Sequence, residues 1–236
     1  MSLVSLEVVG RSTSATSSKS SDPAPPVPAE RVTLRDGSTV RIARITPQDA
    51  PLIAEGFERL SAETRRLRFL TSKPSLSSAE LKYLTEVDGH RHEALGAIDP
   101  ATGHGIAVAR FVRDPDDPSR AEVAVTVADA WQHRGLGTLM LDRLADRARE
   151  EGIVHFTALV AGDNSAMQPF LQGLGGTVTV TEVGGGAVEY AIELAPRGLG
   201  RQLETLLRAA AVGHWQVPPR VCDALRALVP IHFHTR

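Results

Sequence analysis

The sequence predicts an α/β protein built on a mixed, mostly antiparallel sheet, and three observations predict it. Three apolar runs, Ala94 to Ile98, Ile106 to Val112 and Glu122 to Val127, follow one another across the turn clusters Pro100-Ala101-Thr102-Gly103 and Asp114-Pro115-Asp116-Asp117-Pro118. Connections that short join antiparallel neighbours. A long amphipathic stretch then leads from the third run into a fourth, Val154 to Val160, and a strand-helix-strand crossover returns parallel and right-handed. Two last runs, Thr177 to Val183 and Ala187 to Leu194, meet through Gly184-Gly185-Gly186 and close the sheet as a hairpin.

From the N-terminus, Ser12 to Pro28 is almost all Ser, Thr, Ala and Pro. That composition buries too little apolar surface to offset its ordering entropy, so residues 1–30 are expected to form a disordered tail. Deleting Met1 to Ala29 should leave the fold and ligand binding intact; a large fall in melting temperature on truncation would contradict this. Met1 to Gly10 holds Glu7, has no basic leader and shows no clear cleavage site, so no secretory signal is expected. Arg31 to Leu34 and Thr39 to Arg44 read as two short strands around Asp36-Gly37.

Thr46 caps a helix with Pro47 in its first position, running to about Arg59 with Leu52, Ile53 and Phe57 on one side. Ser61 caps a second helix to about Phe69, and Ser77-Ser78-Ala79-Glu80 is a capping box for a third. In the amphipathic stretch Leu136, Met140, Leu144 and Ala148 form one stripe, the helix runs to Glu151, and Gly152 stops it. Beyond Pro196, Leu199 to Ala211 is helical in pattern, Pro218-Pro219 breaks it, and Val221 to Leu228 reads as another short helix. Residues 197–236 are therefore expected to be a helical extension to a domain spanning 31–196, and such an extension packs on that domain, closes a homodimer or meets a partner.

With 236 residues, 42% apolar and 23% charged, the chain is ordinary for a soluble globular protein with one sizeable domain and tails. A formal net charge of −2 argues against a nucleic-acid-binding surface. No run is long enough to span a membrane. Cys222 is the single cysteine, which forbids an internal disulfide and suits a reducing cytoplasm.

The chemistry concentrates where the strand Ala121 to Val127 passes through Gln132-His133-Arg134-Gly135-Leu136-Gly137-Thr138 into the helix. The first turn of a helix offers unpaired N–H groups and the positive end of the dipole, and glycines let an anion approach the backbone. Arg134 adds a cation at the mouth. The plain alternative is a tight turn into an ordinary helix. A P-loop would need a Lys, and Gly137 is followed directly by Thr138; a dinucleotide fingerprint would need a third glycine, where Met140 stands.

What remains is Gln-x-x-Gly-x-Gly, at Gln132, Gly135 and Gly137, with Trp131 before it. It resembles the acetyl-CoA pyrophosphate loop of the GNAT family of N-acetyltransferases. A second match follows: the strand Val154 to Val160, then Asn164, Met167, Phe170, Leu174 and Gly175, where the family has a strand, an Asn opening a helix, and a Leu-Gly-Phe-like turn. The resemblance covers roughly Val40 to Leu194. Leu60-Ser61-Ala62-Glu63-Thr64, Leu67-Arg68-Phe69, Leu81 to Asp88, Ala94-Leu95 and Ala121-Glu122-Val123-Ala124-Val125 look like the Pat-type bacterial protein lysine acetyltransferases.

The resemblance implies a GNAT fold, with helices on both faces of the sheet and a V-shaped splay between its two central parallel strands. Acetyl-CoA is the implied cosubstrate, its pantetheine arm in the gap. Gln132, His133, Arg134, Gly135, Leu136, Gly137 and Thr138 would hold its phosphates, with His133 at the 3′-phosphate end or facing water. A backbone N–H of Val125 or Val127 would polarise the thioester carbonyl. Asn164 would bond the cofactor arm, an N-cap being its plain alternative. The early helices would wall the acceptor groove.

Acetyl transfer needs a neutral amine, and a free lysine has a pKa near ~10.4. Glu122 is the candidate general base, the plain alternative being an outward strand residue. Parity does not settle which side it faces, because bulges are common near such sites. The implied acceptor is a primary amine, a protein lysine first and a small-molecule amine second. A non-catalytic acyl-CoA-binding regulatory module is the rival. In some Pat relatives a cyclic-nucleotide-binding domain precedes the acetyltransferase, and residues 1–30 are too few for one.

Three departures favour the rival. The slot of the family's general-acid Tyr holds Leu171, the Phe of Leu-Gly-Phe is Gly176, and Pro169 removes a hydrogen bond inside that helix. No metal is expected: His90-Arg91-His92 and His232-Phe233-His234 lack a third spaced ligand and read as surface histidines.

Overall fold

The computed structural model describes residues 29–164, 167 and 177–194. The expected N-terminal tail up to residue 28, most of the helix after Asn164 with Pro169, Leu171, Gly175 and Gly176, and the C-terminal extension lie outside the described residues. One eight-stranded sheet forms the frame, in the order β1-β2-β3-β4-β5-β6-β8-β7. Its strands are β1 (Glu30–Thr33), β2 (Thr39–Arg44), β3 (His92–Ile98), β4 (Gly105–Arg113), β5 (Arg120–Val127), β6 (His155–Ala161), β7 (Val178–Gly184) and β8 (Ala187–Glu193). Among the described residues the helices with defined bounds are α1 (Ala50–Glu58), α2 (Ala62–Phe69), α3 (Ser78–Thr85) and α4 (Leu136–Glu150).

The short turns do as expected: β2 to β5 pair antiparallel in sequence order, while β5 and β6 pair parallel across α4. Expected caps are in place. Ser61 Oγ accepts from Thr64 N–H at 3.1 Å, and Ser77 and Glu80 close a reciprocal capping box. Strand ends differ by one or two residues, as at β3, which starts at His92 ahead of its apolar run.

Strand alternation divides the two faces. Glu93 points to α4, where Arg147 meets it at 3.2 Å; its neighbour His92 points the other way and packs on the Tyr83 ring of α3, centroids 5.0 Å apart. On the first face the stripe Leu136, Met140, Leu141, Leu144 and Ala148 is fully buried in one cluster with Leu95, Ala109, Phe111 and Val123. Glu93 lies fully buried beneath this helix, and the Arg44 guanidinium donates to both its carboxylate oxygens, at 2.8 and 2.6 Å.

Pairing between β5 and β6 covers Arg120↔His155, Ala121↔Phe156 and Glu122↔Thr157 and then ceases, although both strands run on. The sheet thus opens as the V expected for the fold, with its apex at Glu122 and Thr157. Helix α2 bridges the two arms. Its cap residues Ser61 and Thr64 bond Asp129 after β5, and Arg66 reaches Asp163 after β6 at 2.8 Å. Among the described residues no helix is long and apolar enough to cross a membrane.

Candidate active site

The backbone at the mouth of the V is set by the β4–β5 ladder. Asp114 N–H donates to Arg120 O at 2.9 Å, Ala128 N–H donates to Ile106 O at 2.8 Å, and the register between them has no shift. Alternation then turns the N–H and C=O of Glu122, Ala124 and Thr126 toward β4, and those of Val123, Val125 and Val127 toward β6. Past Glu122 no strand among the described residues pairs with them. Val125 and Val127 therefore aim their N–H groups into the gap, and the Val127 carbonyl accepts from Gln132 Nε2 at 3.1 Å. The bulge held open by the sequence is absent from β5, so Glu122 faces α2 and α3 together with Arg110, opposite the Val123 side.

Glu122 is half-buried at the apex. Burial pushes its carboxyl above the usual carboxylate value, Arg68 of α2 pulls it back down, and Glu189 of β8 pushes it up again. A base of raised pKa matches an amine proton better than an ordinary surface carboxylate does.

The glycine loop is sharply bent. A 3-10 turn, Asp129–Trp131, leads to Gln132, then His133 at φ 60° and Gly135 at φ 83°, where α4 begins. At Gly135 a Cβ would meet nothing within 4 Å, so its requirement is conformational, about 1–2 kcal/mol for an L residue in that region. Leu136 is fully buried in the core, so of the expected phosphate contacts it can supply its N–H alone. Arg134 lies over the Trp131 ring at 4.9 Å and pairs with Asp36 at 3.4 Å, which holds the cation beside the loop. His133 and Thr138 are exposed. Asn164 stands past the end of β6; its N–H donates to Ala161 O at 2.9 Å and its carbonyl accepts from Met167 N–H at 3.2 Å.

Asp129 locks this loop to α2. One carboxylate oxygen accepts from Ser61 Oγ at 2.7 Å and Thr64 Oγ1 at 2.8 Å, the other from Ser61 N–H at 2.9 Å. Asp129→Ala is expected to cost about 1–3 kcal/mol of stability, the scale for stranding charge-assisted bonds, read by denaturant unfolding.

A cationic cluster that no motif announces stands behind Glu122. Arg110, 5% exposed, points from β4 toward α3, where Nη1 meets His92 Nε2 at 3.1 Å and Nη2 donates to Leu84 O at 3.2 Å. Burial and the nearby Arg68 push the Arg110 guanidinium down to about 9, and burial pushes His92 down to about 4, so His92 is neutral and accepts. His92 is thus not the surface histidine expected, because its ring fills the gap between Tyr83 and Arg110. One signal was available: Arg110 is the lone charge inside the apolar run Ile106 to Val112.

Between α1–α3 and strands β2–β5 lies a cavity of about 130 Å³, lined by Ile53, Phe57, Leu60, Phe69, Leu76 and Leu84 among others, with Arg68 and Arg110 also in its wall.

The model of the Acetyltransferase (GNAT) family matches residues 58–175, across α2, the splayed strands and the glycine loop. The chain belongs to the GNAT acetyltransferase family. This GNAT protein is 36% identical over 151 residues to acetyltransferase Pat of Mycolicibacterium smegmatis, covering 64% of this chain and 44% of Pat, so it spans under half of that relative's length. The crystal structure of the GNAT domain of S. lividans PAT is similar at 32% identity with a TM-score of 0.64, covering 70% of this chain and 97% of that one. The protein yncA of Salmonella typhimurium, solved with its cofactor acetyl-CoA, shares the fold at 20% identity and a TM-score of 0.54, covering 67% of this chain and 96% of yncA.

Proposed function

We propose that this GNAT protein transfers the acetyl group of acetyl-CoA to a primary amine, with Glu122 as the base that frees the amine of its proton. The observation that carries the reading is the parting of β5 from β6 directly after Glu122 and Thr157. It leaves a carboxylate at the apex of a gap whose edge presents the Val125 and Val127 N–H groups. The pyrophosphate would lie on the backbone of Gln132 to Thr138, with Arg134 beside it and Asn164 on the opposite arm. A thioester in the gap would receive a hydrogen bond from Val125 or Val127 as negative charge grows on its oxygen. The first proton of the ammonium form would pass to Glu122 and on to water; the neutral amine would then attack the carbonyl directly, and the second proton lost from nitrogen as the amide forms would go to the departing CoA thiolate. Similarity to Pat favours a protein lysine as acceptor, and a small-molecule amine is the next choice.

A second reading, a non-catalytic acyl-CoA-binding module, is favoured by the Arg68 charge facing Glu122. In that reading the carboxylate is a counter-charge for the buried cluster.

Calorimetry with acetyl-CoA tests the cofactor site that both readings share. Gly137 lies in the first turn of α4. Gly137→Val should weaken binding by at least ~2 kcal/mol, the scale of lost charged hydrogen bonds, because a branched side chain would push the pyrophosphate off the N–H groups. Unchanged affinity in a folded variant would remove the phosphate from this loop.

A further inference from the structure

We propose that Arg68 and the cavity beneath α1–α3 form a binding site for a carboxylate with a compact apolar body. The site begins with an unbalanced charge. Arg68 is half-buried, its guanidinium rests near the Phe69 ring at 5.0 Å, and among the described residues it has no hydrogen-bond or ion-pair partner. Burial depresses it, and Glu122 and Tyr83 only partly compensate. Among the described residues the neighbouring Arg110 brings no anion of its own, since His92 and the Leu84 carbonyl, its two hydrogen-bond partners there, are neutral. Glu122 influences Arg68 through space without reaching ion-pair distance. Two guanidiniums therefore stand in one wall, and the carboxylate of Glu122 acts at a distance on Arg68 alone. Guanidinium is a planar fork of donors that matches a carboxylate in bidentate fashion, and a buried fork left open is costly.

The shape of the adjoining space supplies the second half of the ligand. The other charged residues in the cavity wall are already engaged: Asp49 accepts from Thr46 N–H and Oγ1 at 2.8 Å, and Arg44 is held by Glu93. The other side chains of the wall are apolar apart from Thr126. A dry apolar cavity of ~150 Å³ takes up a molecule of benzene's size, so about 130 Å³ suits one ring or one branched aliphatic group. An occupant would stand on the side of the sheet that Glu122 faces, beside the cleft where an acceptor amine would arrive. Its role as an acceptor-side subsite rests on the acetyl-transfer reading; its binding of the anion does not.

Calorimetry with the full chain and two probes, 4-methylpentanoate and its uncharged amide, decides the matter. The carboxylate should bind in the millimolar range or tighter, and the amide at least tenfold more weakly. Arg68→Gln should weaken carboxylate binding at least tenfold and bring it level with the amide, whereas Arg68→Lys should fall between parent and Gln because it keeps the charge and loses the fork. Leu52 also lines the cavity, and Leu52→Phe, which fills it, should weaken both probes while acetyl-CoA binding persists, which shows the variant to be folded. Equal binding of acid and amide to the parent, or carboxylate binding indifferent to Arg68→Gln, overturns the proposal. Carboxylate binding by a chain that transfers no acetyl group would uphold the site and remove only its assignment to an acceptor.

Discussion

Glu122→Gln should lower turnover by ~10²–10⁴-fold near neutral pH, the usual worth of a positioned general base. The amide keeps the shape and a hydrogen-bonding group and cannot take the proton. Affinity for acetyl-CoA should hold, since Glu122 lies at the apex of the V while the phosphates would bind at its mouth, on the loop after β5. The loss should shrink as pH rises, because more of the amine is already neutral in solution. Burial raises the Glu122 pKa, so the acid limb of the parent's profile should lie above the ordinary carboxylate value, and the variant should lack that limb. The stability effect has the opposite sign. A carboxyl whose folded pKa exceeds its unfolded pKa loses stability as pH rises from the unfolded value through the folded one. Gln has no such cost, so the variant's melting temperature at pH 7 should equal or exceed the parent's. A variant as active as the parent at pH 7 would make Glu122 a counter-charge for Arg68.

Glu93→Ala should cost about 3–5 kcal/mol, the scale for breaking a buried ion pair by removing one partner. Glu93 is fully buried and takes Arg44 in bidentate fashion and Arg147 at 3.2 Å. Its removal takes the bidentate carboxylate from Arg44 and one of three carboxylates from Arg147 beneath α4. For a domain of this size that loss lowers the melting temperature by on the order of 10 °C. Because α4 begins at the glycine loop, acetyl-CoA affinity should fall with stability. Glu93→Gln keeps the volume and one acceptor and should lose less. Calorimetric unfolding checks both, and a shift near zero for Glu93→Ala would mean that the arginines find water or other partners at no cost.

The sheet was legible because its punctuation is local. Asp36-Gly37, the Pro100 to Gly103 turn and the three glycines at 184–186 mark strand ends by turn chemistry alone, and the stripe of α4 reads as one face. The glycine loop was legible for the same reason, since φ 83° at Gly135 is a need that a glycine announces, whereas φ 60° at His133 is not written in its residue type. Strand parity near Glu122 was not, since one bulge would have reversed it, and only the unbroken β4–β5 register places Glu122 with Arg110. The Arg68–Arg110–His92–Tyr83 cluster was hidden because its members come from α2, β4, β3 and α3, and no spacing along the chain encodes their meeting. The same holds for Asp129 with Ser61 and Thr64, which joins two elements already identified separately.

If the splayed cleft moves an acetyl group, CoA thiol is released as the acceptor is acetylated. The full chain is supplied with acetyl-CoA, with and without a lysine-bearing protein acceptor, and the acceptor is weighed by mass spectrometry. Thiol release that depends on the acceptor, and is matched by one added acetyl group per thiol, is the predicted result. Tight binding of acetyl-CoA with thiol release no faster than background hydrolysis, for protein lysine and small amines alike, would contradict it and leave an acyl-CoA-binding module.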